Sequence, residues 1–204
     1  MSPADSEFEP SPAPARSRDA TRRRLLEAAT TLFAAHGLHA VTSTDIAQAA
    51  GVATGTFYLH FADKQALFRE IALSALAELR ERRIRATAGT EPGSRAELRA
   101  GMTELVAYGQ DHGDLIRVVF GRGAESAPIA DEVMDQIVPD LEKAFVLRRE
   151  AGQLTAGAEP AIAAQAYAAM MTRVLAWWVE DPSRASREQV IETLLGLHPS
   201  RPER

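Results

Sequence analysis

The chain reads as all-α, an N-terminal helix-turn-helix unit followed by a larger helical unit, on three observations. Apolar residues recur at i, i+3/i+4, i+7 spacing along most of its length; no segment alternates apolar and polar as a half-buried strand does. Glycines, prolines and Ser/Thr/Asp capping residues punctuate that periodicity every few turns. And 204 residues are enough to bury a real core without cross-links.

Met1 to Ala15 is rich in Pro, Ser and acids and poor in apolar residues, so it cannot offset its ordering entropy and is expected to be disordered. An arginine cluster, Arg16 to Arg24, follows, placed so that an arm could reach phosphates or a minor groove. From Thr21 a first helix carries Leu25, Leu26, Ala29, Leu32, Phe33 and His36 on one face and stops at Gly37; His36 is expected at the core or its boundary.

Thr42 to Lys64 packs a helix, a glycine turn and a second short helix into a compact stretch. Thr42 is a good N-cap with Asp45 three residues on, and Ile46, Ala47, Ala49 and Ala50 form a small inner face. Gly51 supplies the positive φ that reverses the chain, and Val52 returns as an apolar plug. A second helix starts near Ala53 or Thr54, with Phe57 and Phe61 inward and Thr54, Thr56, Tyr58 and His60 carrying groups that bond phosphates and base edges.

Thr42, Asp45, Ile46, Ala47, Ala50, Gly51, Val52, Gly55, Thr56, Tyr58, His60, Phe61, Lys64 and Leu67 together resemble the signature of the TetR-type bacterial transcriptional regulators. The resemblance covers Arg22 to about Phe68. Ala53 stands where that family usually has Ser, and Thr54 where it often has Lys, which weakens a cap and removes a phosphate contact. The resemblance implies a DNA-binding regulator that represses by default and is released by a small ligand.

Asp63 caps a long helix whose Leu67, Phe68, Ile71, Ala72, Ala75, Leu76 and Leu79 keep one stripe, able to join two domains; it ends at Gly89 to Gly93. Ser94 and Glu97 form a capping box for a helix bearing Leu98, Met102, Leu105 and Val106. Helices over Leu115 to Phe120 and from about Pro128 to Glu150 follow, the second kinked or divided by Pro139. From Pro160 to Glu180 two apolar stripes lie side by side, so that helix must be covered on two sides. Ser186 and Gln189 open a last helix, and Pro199 to Arg204 is expected to fray. The expected organisation is a tail at 1–15, a DNA-binding domain at 16–63, a regulatory and dimerisation domain at 64–198 and a frayed tail at 199–204.

The net charge of −5 is unevenly spread. Residues 1–15 carry −3 and 16–68 carry +2, so the positive part is the candidate nucleic-acid-binding part. Without cysteine there are no disulfides, thiolate metal sites or cysteine nucleophiles. His36, His39, His60, His112 and His198 show no metal-ligand spacing, and acidic pairs such as Asp131/Asp135 read as solvated surface, so neither enzyme, metal nor cofactor is expected. No apolar run approaches the roughly 20 residues that span a bilayer, and a cytoplasmic protein with no membrane partner is expected.

Expected double-stranded DNA contacts are Arg22, Thr42, Ser43, Thr44, Thr54, Gly55, Thr56, Tyr58, His60 and Lys64, with residues 54–56 in the major groove and Tyr58, His60 and Lys64 on phosphates. The doubly apolar helix 160–180 and the helix after it predict a homodimer reading a palindromic operator. A pocket for a small apolar or aromatic effector is expected among Met102, Leu105, Tyr108, His112, Met134, Ile137, Tyr167, Met170 and Trp177, where thioethers and aromatics mix with a few polar tips. The competing reading is a helical protein-interaction module that has lost specific DNA binding, since Thr54 leaves the second helix of the motif without a base.

Overall fold

The computed structural model describes residues 13–121 and 126–200, the side chains of 13–16 excepted, and within them the chain is helical, with a single β-bridge between Leu154 and Ser200. In order the helices are α1 (Ala13–Ala40), α2 (Ser43–Ala49), α3 (Thr54–Tyr58), α4 (Lys64–Thr87), α5 (Arg95–Asp111), α6 (Gly113–Phe120), α7 (Ala127–Glu150), α8 (Pro160–Glu180) and α9 (Arg187–Gly196). Among the described residues no helix is long and apolar enough to cross a membrane.

Two apolar cores organise these helices. The first gathers Leu25, Phe33, Ile46, Phe57, Phe61, Leu67 and Phe68 from α1 to α4, with Phe33 and Phe68 edge to face at 5.3 Å. It continues without a break into Val119 of α6 and Ile129 and Val133 of α7. The second gathers Met102, Val106, Phe145, Tyr167, Trp178 and Leu194 from α5, α7, α8 and α9. Its two largest polar-tipped side chains are satisfied: the Tyr167 hydroxyl donates to Leu194 O (3.1 Å) and Trp178 Nε1 to Ala185 O (2.8 Å).

Several local expectations change. The first helix begins at Ala13, eight residues before Thr21, so the arginine cluster is helical rather than an arm; the rest of the tail, 1–12, lies outside the described residues. It ends as expected at Gly37, whose φ of 77° is non-helical. His36 is exposed, because the helix has turned its buried face to Phe33 one turn earlier. Ser94 caps α5 by accepting from Glu97 N (3.1 Å), but the Glu97 carboxylate reaches back to Gly93 N (2.7 Å) and to Arg148, so the box is not closed on Ser94. α7 runs through Pro139 undivided; Pro139 and Asp135, the residue whose carbonyl loses its helical partner, both face solvent. Pro199 and Ser200 are pinned rather than frayed: Pro199 O accepts from Thr155 N (2.9 Å) and Oγ1 (2.7 Å), and Ser200 is buried; 201–204 lie outside the described residues.

Candidate nucleic-acid interface and effector cavity

α2 is held at its start by a complete capping box: Thr42 Oγ1 accepts from Asp45 N (3.2 Å), and the Asp45 carboxylate accepts from Thr42 N (2.9 Å) and Oγ1 (2.7 Å). These hydrogen bonds from Thr42 hold the Asp45 carboxyl below its usual range. At its other end, Gly51 (φ 65°) donates to Gln48 O (3.0 Å) and Val52 N to Ala47 O (3.0 Å), the paired bonds of a Schellman turn. That turn sets α3 across α2. Ala53, the N-cap of α3, offers no side-chain bond, as its methyl requires. Phe57 is fully buried beneath α3, whereas Gly55 is exposed and Thr54 and Thr56 are half-buried, so the first turn of α3 offers a small, approachable ridge. Ser43 is half-buried and Thr44 exposed at the neighbouring end of α2, and Tyr58 projects with 57% of its surface accessible, its ring edge-on to Phe57. His60 is half-buried; burial first, then the charges of Arg18 and Arg22, push its pKa down, leaving a neutral ring near pH 7.

The basic groups are distributed differently from the expectation. Arg22 is paired with Glu70 of α4 and lies over the Phe61 ring at 4.6 Å. Lys64 Nζ donates to Leu38 O (2.8 Å) and His39 O (3.2 Å), bonding the first residue of α4 to the carbonyls that end α1. Arg24 donates to the carbonyls of Ala50 and Gly51 (3.2 Å to Gly51), and Arg18 reaches Leu59 O at 3.5 Å. Thus α1 sends one arginine to the carbonyl end of each of α2 and α3, where a cation is electrostatically favoured. Sequence spacing could not reveal this bracing, because the partners lie 26 to 48 residues away.

Behind this head lies a cavity of about 90 Å³, walled by α4 to α8. Ala75, Leu76 and Leu79 of α4, Leu105 and Tyr108 of α5, Leu115 and Val119 of α6, Ile137 of α7 and Leu175 of α8 line it with apolar surface; the hydroxyls of bordering Tyr108 and Thr172 are bonded to Glu78 and Ala168 O. A cavity with so few polar partners stays dry and favours an apolar or aromatic guest. Of the expected lining, Leu105, Tyr108 and Ile137 are here; His112 stacks on Tyr108 (4.1 Å) along a shallower groove against α1. Met102, Leu105 and Tyr167 border a second cavity of about 400 Å³ beside α4, α5, α7 and α8. Met134, Met170 and Trp177 line neither: Met134 and Met170 pack on the second core, and Trp177 turns outward, with Arg184 over its ring at 5.3 Å. The part played by α4 was missed because its cavity-facing residues Ala75 and Leu79 belong to a stripe that reads as ordinary packing.

The sequence model of the bacterial regulatory proteins of the tetR family matches residues 25–71, which is α1 from Leu25 through the first two turns of α4. Over 58 residues the chain is 47% identical to the HTH-type transcriptional repressor KstR2 of Rhodococcus jostii, 28% of each chain. It is 42% identical over 90 residues to the probable acrEF/envCD operon repressor of Escherichia coli, spanning 43% of this chain and 40% of that one. The chain therefore aligns with less than half the length of these curated relatives. The fold extends further: the SmeT–triclosan complex, from Stenotrophomonas maltophilia, superposes with a TM-score of 0.72 at 22% identity, covering 88% of this chain and 90% of that one.

Proposed function

From membership of the TetR family of bacterial transcriptional regulators, we infer that this chain is a ligand-responsive repressor that reads a palindromic operator as a homodimer. The observation that carries the DNA-binding part is the approachable first turn of α3, supported by a capping box, a Schellman turn and three arginines. Thr54, Gly55 and Thr56 meet base edges; Ser43, Thr44 and the Thr42 backbone at the start of α2, with Tyr58 and neutral His60, meet phosphates. Arg22 and Lys64 act by positioning these groups.

Dimerisation is supported by the uncovered stripe of α8, Ile162, Ala166, Ala169, Arg173 and Trp177, beside exposed Leu197 after α9. Two copies bring four such helices together and bury it by symmetry. The two heads then stand a fixed distance apart and read half-sites on one face of the duplex.

Effector control is supported by the apolar cavity, since α4 forms one wall and begins directly after α3. A guest that prefers a wider cavity displaces α4 and, through Leu115 and Val119, α6, whose Arg117 reaches Ala34 O of α1 at 3.4 Å. The change in operator affinity equals the guest's differential affinity for the two arrangements. SmeT has been captured with triclosan, which favours a small aromatic guest here as well.

The test is selection of bound sites from a random duplex library, followed by salt-dependent gel shifts. A palindromic consensus bound by a species of twice 22.1 kDa is expected. Uniform weak binding without a consensus would instead favour the protein-interaction reading.

A further inference from the structure

The 400 Å³ cavity differs chemically from its apolar neighbour. Arg80, Arg83 and Arg148 border it with Glu97 and Asp140, alongside Tyr167 and His198. Arg80 is fully engaged, with Asp140 (2.8 Å) and the Gln136 carbonyl (2.7 Å). Arg148 gives Nη2 to Glu97 (3.3 Å), yet its Nη1 is buried and donates to nothing among the described residues. Arg83 makes no side-chain hydrogen bond or ion pair among the described residues. Its guanidinium lies over Gly101, where an added Cβ would meet Nη2 at 3.5 Å, an ordinary contact.

Three fixed cations face two carboxylates, a surplus of one positive charge. Tyr167 does not change this, since burial pushes its phenol upward. Nor does His198: burial, then Arg148 and Arg83, pushes its pKa down to about 4, so it is neutral at pH 7. Crowding by neighbouring protein lowers the Arg83 pKa, although the residue keeps solvent access, so a dissolved anion can reach its guanidinium. An unmatched buried donor costs free energy until something accepts from it. The remaining wall is apolar, with Leu98, Met102, Leu105 and Met171, and Leu105 is shared with the smaller cavity.

We propose that this cavity holds the single carboxylate of a small organic acid, taken by Arg83 beside the Arg148 guanidinium, with the acid's apolar body along Met102, Leu105 and Met171. This assignment rests on the reading that the helices after α3 bind an effector, and it gives them an acid-binding site beside the apolar cavity.

The test uses the full chain and calorimetric titration with straight-chain carboxylates from butyrate to dodecanoate and with 4-phenylbutyrate, each against its neutral amide. At least one acid is expected to bind ten-fold or more tightly than its amide. Arg83→Met should erase that preference while leaving the amide's affinity unchanged. Because Arg83 carries no side-chain bond, the variant should fold normally, checked by circular dichroism; Arg85→Met, on the solvent side of α4, is the matched control. The His198 ring should report the site by nuclear magnetic resonance, its pKa rising when the acid binds. Equal affinities for acid and amide, an acid preference untouched by Arg83→Met, or no binding by any acid would each overturn the proposal. In those cases release of the operator by neutral aromatics would leave the broader effector reading standing; its absence would remove both.

Discussion

Replacing Lys64 separates the two roles that a basic residue beside a helix-turn-helix can have. In the structure its ammonium donates at 2.8 and 3.2 Å to the Leu38 and His39 carbonyls near the end of α1. A hydrogen bond involving a charged group contributes about 1.5–3 kcal/mol, and two sharing one half-exposed ammonium contribute less than twice that. Lys64→Met, which keeps the stem and removes the donors, should therefore destabilise the protein by about 2 kcal/mol. For a domain of this size that is a fall in Tm of about 4–8 °C. A phosphate contact would give a different signature, a salt slope of log Kd against log salt that drops by about 0.9. The assay is thermal unfolding by circular dichroism alongside operator titrations at several salt concentrations. The expected result is a lower Tm with an unchanged salt slope at temperatures where the variant is folded. An unchanged Tm with a reduced slope would refute the bracing role and return Lys64 to the DNA surface.

Tyr58→Phe, which removes an exposed hydroxyl and no packing, should weaken operator and random DNA by a similar factor of about three to ten, read by gel shift, with Tm unaltered. Ala75→Leu should fill much of the apolar cavity from the α4 side; DNA binding is expected to persist while release by small aromatics is lost, and undiminished release would place that guest elsewhere. His198 predicts acid sensitivity with a definite sign. Its folded pKa of about 4 lies below the unfolded 6.5, so the unfolded chain binds the proton first and stability is lost as pH falls from 6.5 towards 4. The neutral ring accepts from Ser200 N at Nδ1 (3.0 Å), and protonation would break that bond. Between pH 7 and 5 the stability gap between the natural chain and His198→Gln, measured by urea unfolding, should narrow by about 2 kcal/mol; a constant gap would show that the ring titrates normally.

What the sequence made legible was local. Thr42 with Asp45, Gly51 with Val52, Asp63 before α4 and Ser186 with Gln189 each concern groups within five residues, and each stands as its local chemistry requires. The all-α architecture follows from the same short-range periodicity. Side chains whose partners are remote could not be read this way. Arg22, Arg24 and Lys64 looked like free cations because Glu70, the Ala50 carbonyl and the Leu38 carbonyl are brought to them only by the tertiary fold. Of the nine residues expected to line an effector pocket, three border the small cavity, for a similar reason. Tyr108 and Ile137 face α4 there, but Met170 and Trp177 lie on arcs of α8 that point away, and which arc faces inward depends on how α7 and α9 dock.

Under the proposed effector reading, the same geometry gives a cavity remote from α3 a mechanical route to it. α4 is bonded at its first residue to the end of α1 through Lys64 and at its second turn to the third turn of α1 through Glu70 and Arg22, so α1 and the head of α4 move together. The first core fixes α2 and α3 to that pair through Ile46, Phe57 and Phe61. A displacement of α4 at Ala75 and Leu76, about one and a half turns further along, would thus be transmitted as a rotation of the whole head rather than a distortion within it. α6 offers a second attachment, because Val119 belongs both to the cavity wall and to the head's core. Breaking it with Val119→Ala would enlarge the cavity and loosen the link together, so that variant should bind operator yet release it less completely at saturating effector. Complete release would assign the transmission to α4 alone.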